Sequence, residues 1–173
     1  GGGSTDAYAR VRFQVQSAKL PSSNPASIDA SNAGGYVLRF DDTTAETVTW
    51  DDQVPYDYGS SLVANIGFSM VSATTGHVTW GVAITYYGDG GGDVDSDSYD
   101  TENLYGTDDG PAPGVPGTAG LIRWIQVPLT TNDSMTQGGY YRIKLRRAVE
   151  DSGDTASGDA EVRFFNIEYT PGF

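Results

Sequence analysis

The chain has no cysteine and only one histidine, His77, among its 173 residues. The first absence excludes disulfides, thiolate nucleophiles and cysteine-ligated metals. The second excludes any centre needing two or three imidazoles, a cupin-type metal site included. No apolar run approaches the roughly 20 residues that span a bilayer, and no charged-then-apolar signal segment opens the chain. Cations are scarce as well. Ten Lys and Arg stand against 23 Asp and Glu, a formal net charge of −13, and none of the ten lies between Arg39 and Arg123. Such a field repels DNA and RNA, so nucleic-acid binding and membrane insertion are both unexpected.

Sustained helical periodicity is missing too, and period-two patterning stands in its place. In "AYARVRFQV" from Ala7, Val11, Phe13 and Val15 alternate with Arg10, Arg12 and Gln14. Further candidate strands are "YVLRF" from Tyr36, "ETVTW" from Glu46, "SLVANIGFSMVSA" from Ser61, "HVTWGVAITYY" from His77, "GLIRWIQVPLT" from Gly120, "GYYRIKLRRAV" from Gly139 and "DAEVRFFNIEY" from Asp159. Clusters of Gly, Pro, Asn, Asp and Ser separate them, each a turn signal. Eight alternating strands without an intervening helix predict an all-β, antiparallel sandwich or barrel with helix below about a tenth of the chain. The predicted core holds Val11, Phe13, Val48, Trp50, Val78, Trp80, Val82, Ile84, Tyr141, Ile143 and Leu145. The alternation slips between Phe164 and Phe165, which predicts a β-bulge there.

Residues 1–6 read as a flexible Gly-rich segment or linker, and 7–173 as one domain with a long acidic Gly/Asp loop at about 88–119. The opening "GGGST", without an initiator methionine, marks a processed product, a piece of a longer protein or an added linker. If the eight strands form an eight-stranded jelly-roll β-sandwich, lettered B to I in chain order, three acidic loops at 51–60, 88–119 and 150–158 gather as one acidic tip. Arg142, Lys144 and Arg146, with Arg10, Arg12 and Arg163, are expected on outer faces. They are either solvated or set against an acidic surface.

Trp124 stands out because "LIRWIQV" carries large apolar groups on both faces, and a strand apolar on both sides is covered on both sides. A loop folded over it and a subunit interface through Ile122 and Trp124 are equally open readings. A closed ring would use the same patches on every copy.

Several pieces form an ordered series: Pro55 and Tyr58 after Trp50, the Gly76-x-Val78-x-Trp80 strand start, the Gly/Asp excursion, and Arg146…Asp154-Thr155…Gly158-Asp159-Ala160. This series resembles the jelly-roll domains of tailed-phage virion proteins, namely head fibres, capsid decoration or cement proteins and tail-fibre tips. The resemblance implies a non-enzymatic virion-surface structural protein, a homotrimer, with capsid or tail proteins as partners and a part in host-surface attachment. It carries over no catalytic residue.

Two kinds of site remain to be weighed. Asp93, Asp95 and Asp97 match the first three positions of a calcium loop. The sixth is Ser98 where glycine is needed, and the twelfth is Leu104 where a bidentate glutamate belongs. The stretch therefore reads first as a solvated excursion, and second as a nonstandard calcium site shared with neighbouring loops. No Gly-x-Ser-x-Gly elbow occurs, and His77 lacks a matching nucleophile, so no hydrolase is expected. Carbohydrate binding is the rival function, as a binding module or lectin-like domain of a secreted, extracellular protein. Tyr56, Tyr58, Tyr99 and Tyr105 would be its glycan or receptor contacts.

Overall fold

Each alternating segment presents one apolar face, and two sheets bury those faces against each other. The structure, a computed structural model, describes residues 8–31, 33–96, 98–109 and 114–172. The expected Gly-rich segment 1–6 lies outside the described residues. The strands are β1 (Ala9–Phe13), β2 (Ser27–Ala30), β3 (Tyr36–Phe40), β4 (Thr47–Gln53), β5 (Tyr58–Met70), β6 (Thr79–Tyr87), β7 (Asn103–Gly106), β8 (Arg123–Pro128), β9 (Tyr140–Arg147) and β10 (Ala160–Pro171). A single 3-10 turn, Val15–Ser17, is the one helical element among the described residues.

One sheet runs β2-β3-β10-β5-β8 and the other β4-β9-β6-β7, with every pairing antiparallel. β1 and β3 share one edge of β10: β3 pairs with its start and β1 with its second half. Taking β3 as strand B gives the orders B-I-D-G and C-H-E-F, the two interlocked Greek keys of a jelly roll. Ten strands therefore replace the expected eight. The added ones are β2 and β7, four residues each, too short to show an alternation in sequence.

The shift of lettering has a spatial consequence. Loop 54–57 becomes C–D and loop 88–102 becomes E–F, and both meet the β8–β9 connection, where Val54 N–H bonds Gly139 O at 2.7 Å and Asp133 N–H bonds Asp100 at 2.9 Å. Loop 148–159 lies at the other end, with Thr155 N–H on His77 O at 2.8 Å. The expected single acidic tip is thus divided between the two ends of the sandwich.

The core is aromatic at both ends. Trp50 packs on Phe165 and Phe13 with centroids 5.0 and 5.6 Å apart, while Trp80 meets Phe40 and Phe68 edge-on at 5.1 and 5.4 Å. Ten of the eleven expected core residues are buried; Val11, near the free edge of β1, is only half-buried and packs on the core's margin. The register of β10 shifts between Val162 and Phe164, not between the two phenylalanines. Arg163 is the extra residue, so Arg163 and Phe164 both face outward while Phe165 turns into the core.

The C-terminal block singled out in sequence is a clasp, and its centre is Arg147 rather than Arg146. The Arg147 side chain has no exposure at all. It donates to Asp154 through Nε and Nη2 at 3.0 and 2.8 Å, and to the carbonyls of Gly158 and Ala156 at 2.7 Å each. Planar guanidinium geometry lets one side chain satisfy a carboxylate and two loop carbonyls together.

Candidate functional site

Among the described residues the acidic excursion is not a free loop. It folds back as a strap over the outer face of the β4-β9-β6-β7 sheet. Thr85 on that outer face is only 1% exposed, and Asp100 N–H on Ile84 O at 2.9 Å runs the strap alongside β6 there. Its anchors are the cations of β9, so the expected outward basic flank on that strand meets the chain's own strap: a carboxylate, a carbonyl and an aromatic ring. Arg146 donates to both Glu102 oxygens at 2.6 and 2.7 Å, and Arg142 Nη2 bonds Val94 O at 2.6 Å. Lys144 Nζ stands 4.4 Å from the centroid of the Tyr99 ring. Glu102 and then Glu150 hold the Arg146 guanidinium above its ordinary range. Gly81, opposite Arg146 across the ladder, leaves the space that the Glu102 carboxylate fills.

Within the strap Asp93 and Asp95 are exposed and joined by a turn, Asp95 N–H to Asp93 Oδ1 at 2.9 Å. Asp97 lies outside the described residues. The acids that do converge are elsewhere: Asp41, Asp42 and Asp159 bring carboxylate oxygens within 4.8 Å of one another. Those of Asp41 and Asp42 accept from loop donors, Asp41 from Thr43 and Asp42 from Gly158 N–H. Thr43 holds Asp41 low, while burial and then Asp41 push Asp159 up.

The four tyrosines proposed as ligand contacts do not form one surface. Tyr58 is buried on Tyr169 with ring centroids 5.5 Å apart, because β5 begins there and turns it inward. Tyr105 is half-buried on β7, paired in register with Trp80, and packs on the core. Tyr99 lies over Lys144, and Tyr56 alone projects from its loop.

A groove lies on the opposite face, on the outside of the β10-β5-β8 sheet. Strand register lays out two rows there. Arg12 pairs with Asn166, Asn166 with Asn65, and Asn65 with Gln126, one residue from each of four strands. Asn65 Nδ2 donates to Asn166 Oδ1 at 2.8 Å and Gln126 Nε2 to Asn65 Oδ1 at 2.9 Å, so the amides form a ladder. At a strand spacing of about 4.8 Å, the row is about 14 Å long. The neighbouring row is Phe164, Gly67 and Trp124. Gly67 lacks a Cβ where the Phe164 ring lies, and Phe164 in turn meets Trp124 edge-on with centroids 5.8 Å apart.

No described segment covers Trp124, which is 72% exposed, while Ile125 and Val127 of the same strand face the core. The bulge in β10 is what places Arg163 beside Phe164. Together these residues line a groove of about 930 Å³, which Tyr36 and Arg10 also border. None of its lining residues is Asp, Glu or His. Sequence reading singled out Trp124 but not the amide row, whose members are three isolated polar residues on three different strands.

No family model and no curated protein matches the chain. Solved structures align with the chain at low identity. The C-terminal CBM6 of the laminarinase LamC from Zobellia galactanivorans is 11% identical with a TM-score of 0.45, covering 92% of this chain and 98% of that one. A family 35 carbohydrate-binding module from Clostridium thermocellum is 14% identical, TM-score 0.46, covering 92% and 97%. A structure of infectious bursal disease virus, Gx strain, is 10% identical, TM-score 0.43, covering 95% of this chain and 32% of that one.

Proposed function

We propose that the chain is a non-enzymatic carbohydrate-binding domain whose ligand lies in the groove beside Trp124. The carrying observation is an exposed indole, braced from below by Phe164, next to a row of convergent amides. A pyranose ring has an apolar face of C–H groups and a rim of hydroxyls. A fixed aromatic face and side-chain amides match those two surfaces. Asn166 and Gln126 each use one end of the amide in the ladder, leaving the other end for a ligand hydroxyl.

The test is affinity electrophoresis of the wild type and Trp124→Ala through gels containing neutral and acidic polysaccharides. Retardation of the wild type by at least one polysaccharide, lost in the variant, is expected. Free migration of the wild type through every gel would overturn the proposal. A second reading rests on Leu121, Ile122 and Trp124 being exposed together: the patch closes a homotrimer. Light scattering separates the two, since that reading requires a trimeric wild type and a Trp124→Ala variant of lower mass. Display on a virion surface and secretion as part of an extracellular protein both suit a glycan-binding domain. Copurification with a capsid or tail protein would support the first.

A further inference from the structure

The groove concentrates cations on a chain that is otherwise strongly anionic. Three of the ten Lys and Arg residues, Arg10, Arg12 and Arg163, line it, with no acid among the lining residues. Two of the three are engaged. Arg10 Nε is 3.7 Å from Glu168, and Arg163 Nε donates to Ser69 Oγ at 2.9 Å with its Nη2 4.0 Å from Glu161. Arg12 is different: it is exposed, ends the amide row, and has no ion-pair partner among the described residues.

Resting on the glycan-binding reading, we infer that the groove selects a polysaccharide bearing carboxylates, a uronic-acid polymer, and that Arg12 is the residue that receives the carboxylate. The guanidinium fork matches a planar carboxylate with two parallel hydrogen bonds. The amides beside it bond hydroxyls of the same or the next sugar, and Trp124 covers a ring face at the far side. One free guanidinium receives one carboxylate of the chain, and the neighbouring carboxylates extend from the groove into solvent. A densely sulfated polymer would meet Glu161 and Glu168 at the groove's border and the net charge of −13 beyond it.

Polygalacturonate and its methyl ester share a backbone and differ in charge, so they isolate this term. By calorimetry the wild type is expected to bind the acid form about tenfold more tightly than the ester, with the preference shrinking as salt is raised. Arg12→Gln should abolish the preference, the ratio of acid to ester affinity falling from about ten to about one. Equal affinity of the wild type for acid and ester would overturn the inference and leave the glycan-binding reading standing. Preference for dextran sulfate over dextran, with no preference for polygalacturonate over its ester, would overturn the carboxylate assignment. Failure to bind any polysaccharide, neutral or acidic, would remove both.

Discussion

Glu102→Ala is the perturbation that separates a docked strap from a mobile excursion. The wild-type carboxylate accepts two hydrogen bonds from Arg146, and each side chain of the pair is about 20% exposed. Hydrogen bonds to charged groups contribute about 1.5–3 kcal/mol, and fully exposed pairs about 0–1. Breaking a fully buried pair costs about 3–5 kcal/mol. This pair lies between the last two cases. Glu150, 2.6 Å from Arg146 Nη2, keeps the guanidinium partnered after the substitution and moderates the loss. The expected destabilisation is about 2 kcal/mol, a fall of about 1 M in the urea midpoint for an m-value of about 2 kcal/mol/M.

A double-mutant cycle with Arg146→Gln isolates the coupling. Proteolysis supplies the local readout. Trypsin has no site between Arg39 and Arg123, so chymotrypsin, cutting at Tyr99, reports opening of the strap. Glu102→Ala should be cut several-fold faster there with the sandwich still folded. Coupling below about 0.3 kcal/mol together with unchanged cleavage would refute the strap and restore the solvated loop expected from sequence.

Three other outcomes follow from buried polar groups. Arg147→Lys keeps the charge but cannot reach Asp154 and two carbonyls together, so thermal unfolding should show a loss of about 2–4 kcal/mol; a loss under 1 would refute the clasp. Tyr141 is buried with its hydroxyl unpartnered among the described residues, so Tyr141→Phe should be neutral or about 1 kcal/mol stabilising in urea unfolding, and a clear destabilisation would contradict this. Burial first, and then the hydrogen bond to Asp57 at 2.6 Å, push the Tyr169 hydroxyl from 10.0 up to about 12. Its contribution is therefore complete below about pH 10 and is lost as pH rises toward 12. Asp57→Asn should make tyrosinate absorbance appear at lower pH, and an unshifted titration would exclude the pairing.

The period-two pattern was enough to determine the class of fold, because alternation forces one face of each strand inward whatever its neighbours are. It therefore placed Trp50, Trp80 and the β9 core residues without any knowledge of topology. It also singled out Trp124 as anomalous, since a large ring on the polar face of a strand is visible locally. Three things were decided only by tertiary structure. The first was lettering: β1 pairs with β10 outside the eight jelly-roll strands and β7 is too short to read in sequence, so lettering from β1 without β7 displaced loops to the wrong end of the sandwich. The second was the fate of the acidic excursion, because attraction between the strap and Arg142, Lys144 and Arg146 depends on a fold-back that sequence separation conceals. The third was the groove itself. Asn65, Gln126 and Asn166 are unremarkable outward residues until register aligns them, and register is a property of paired strands rather than of any one of them.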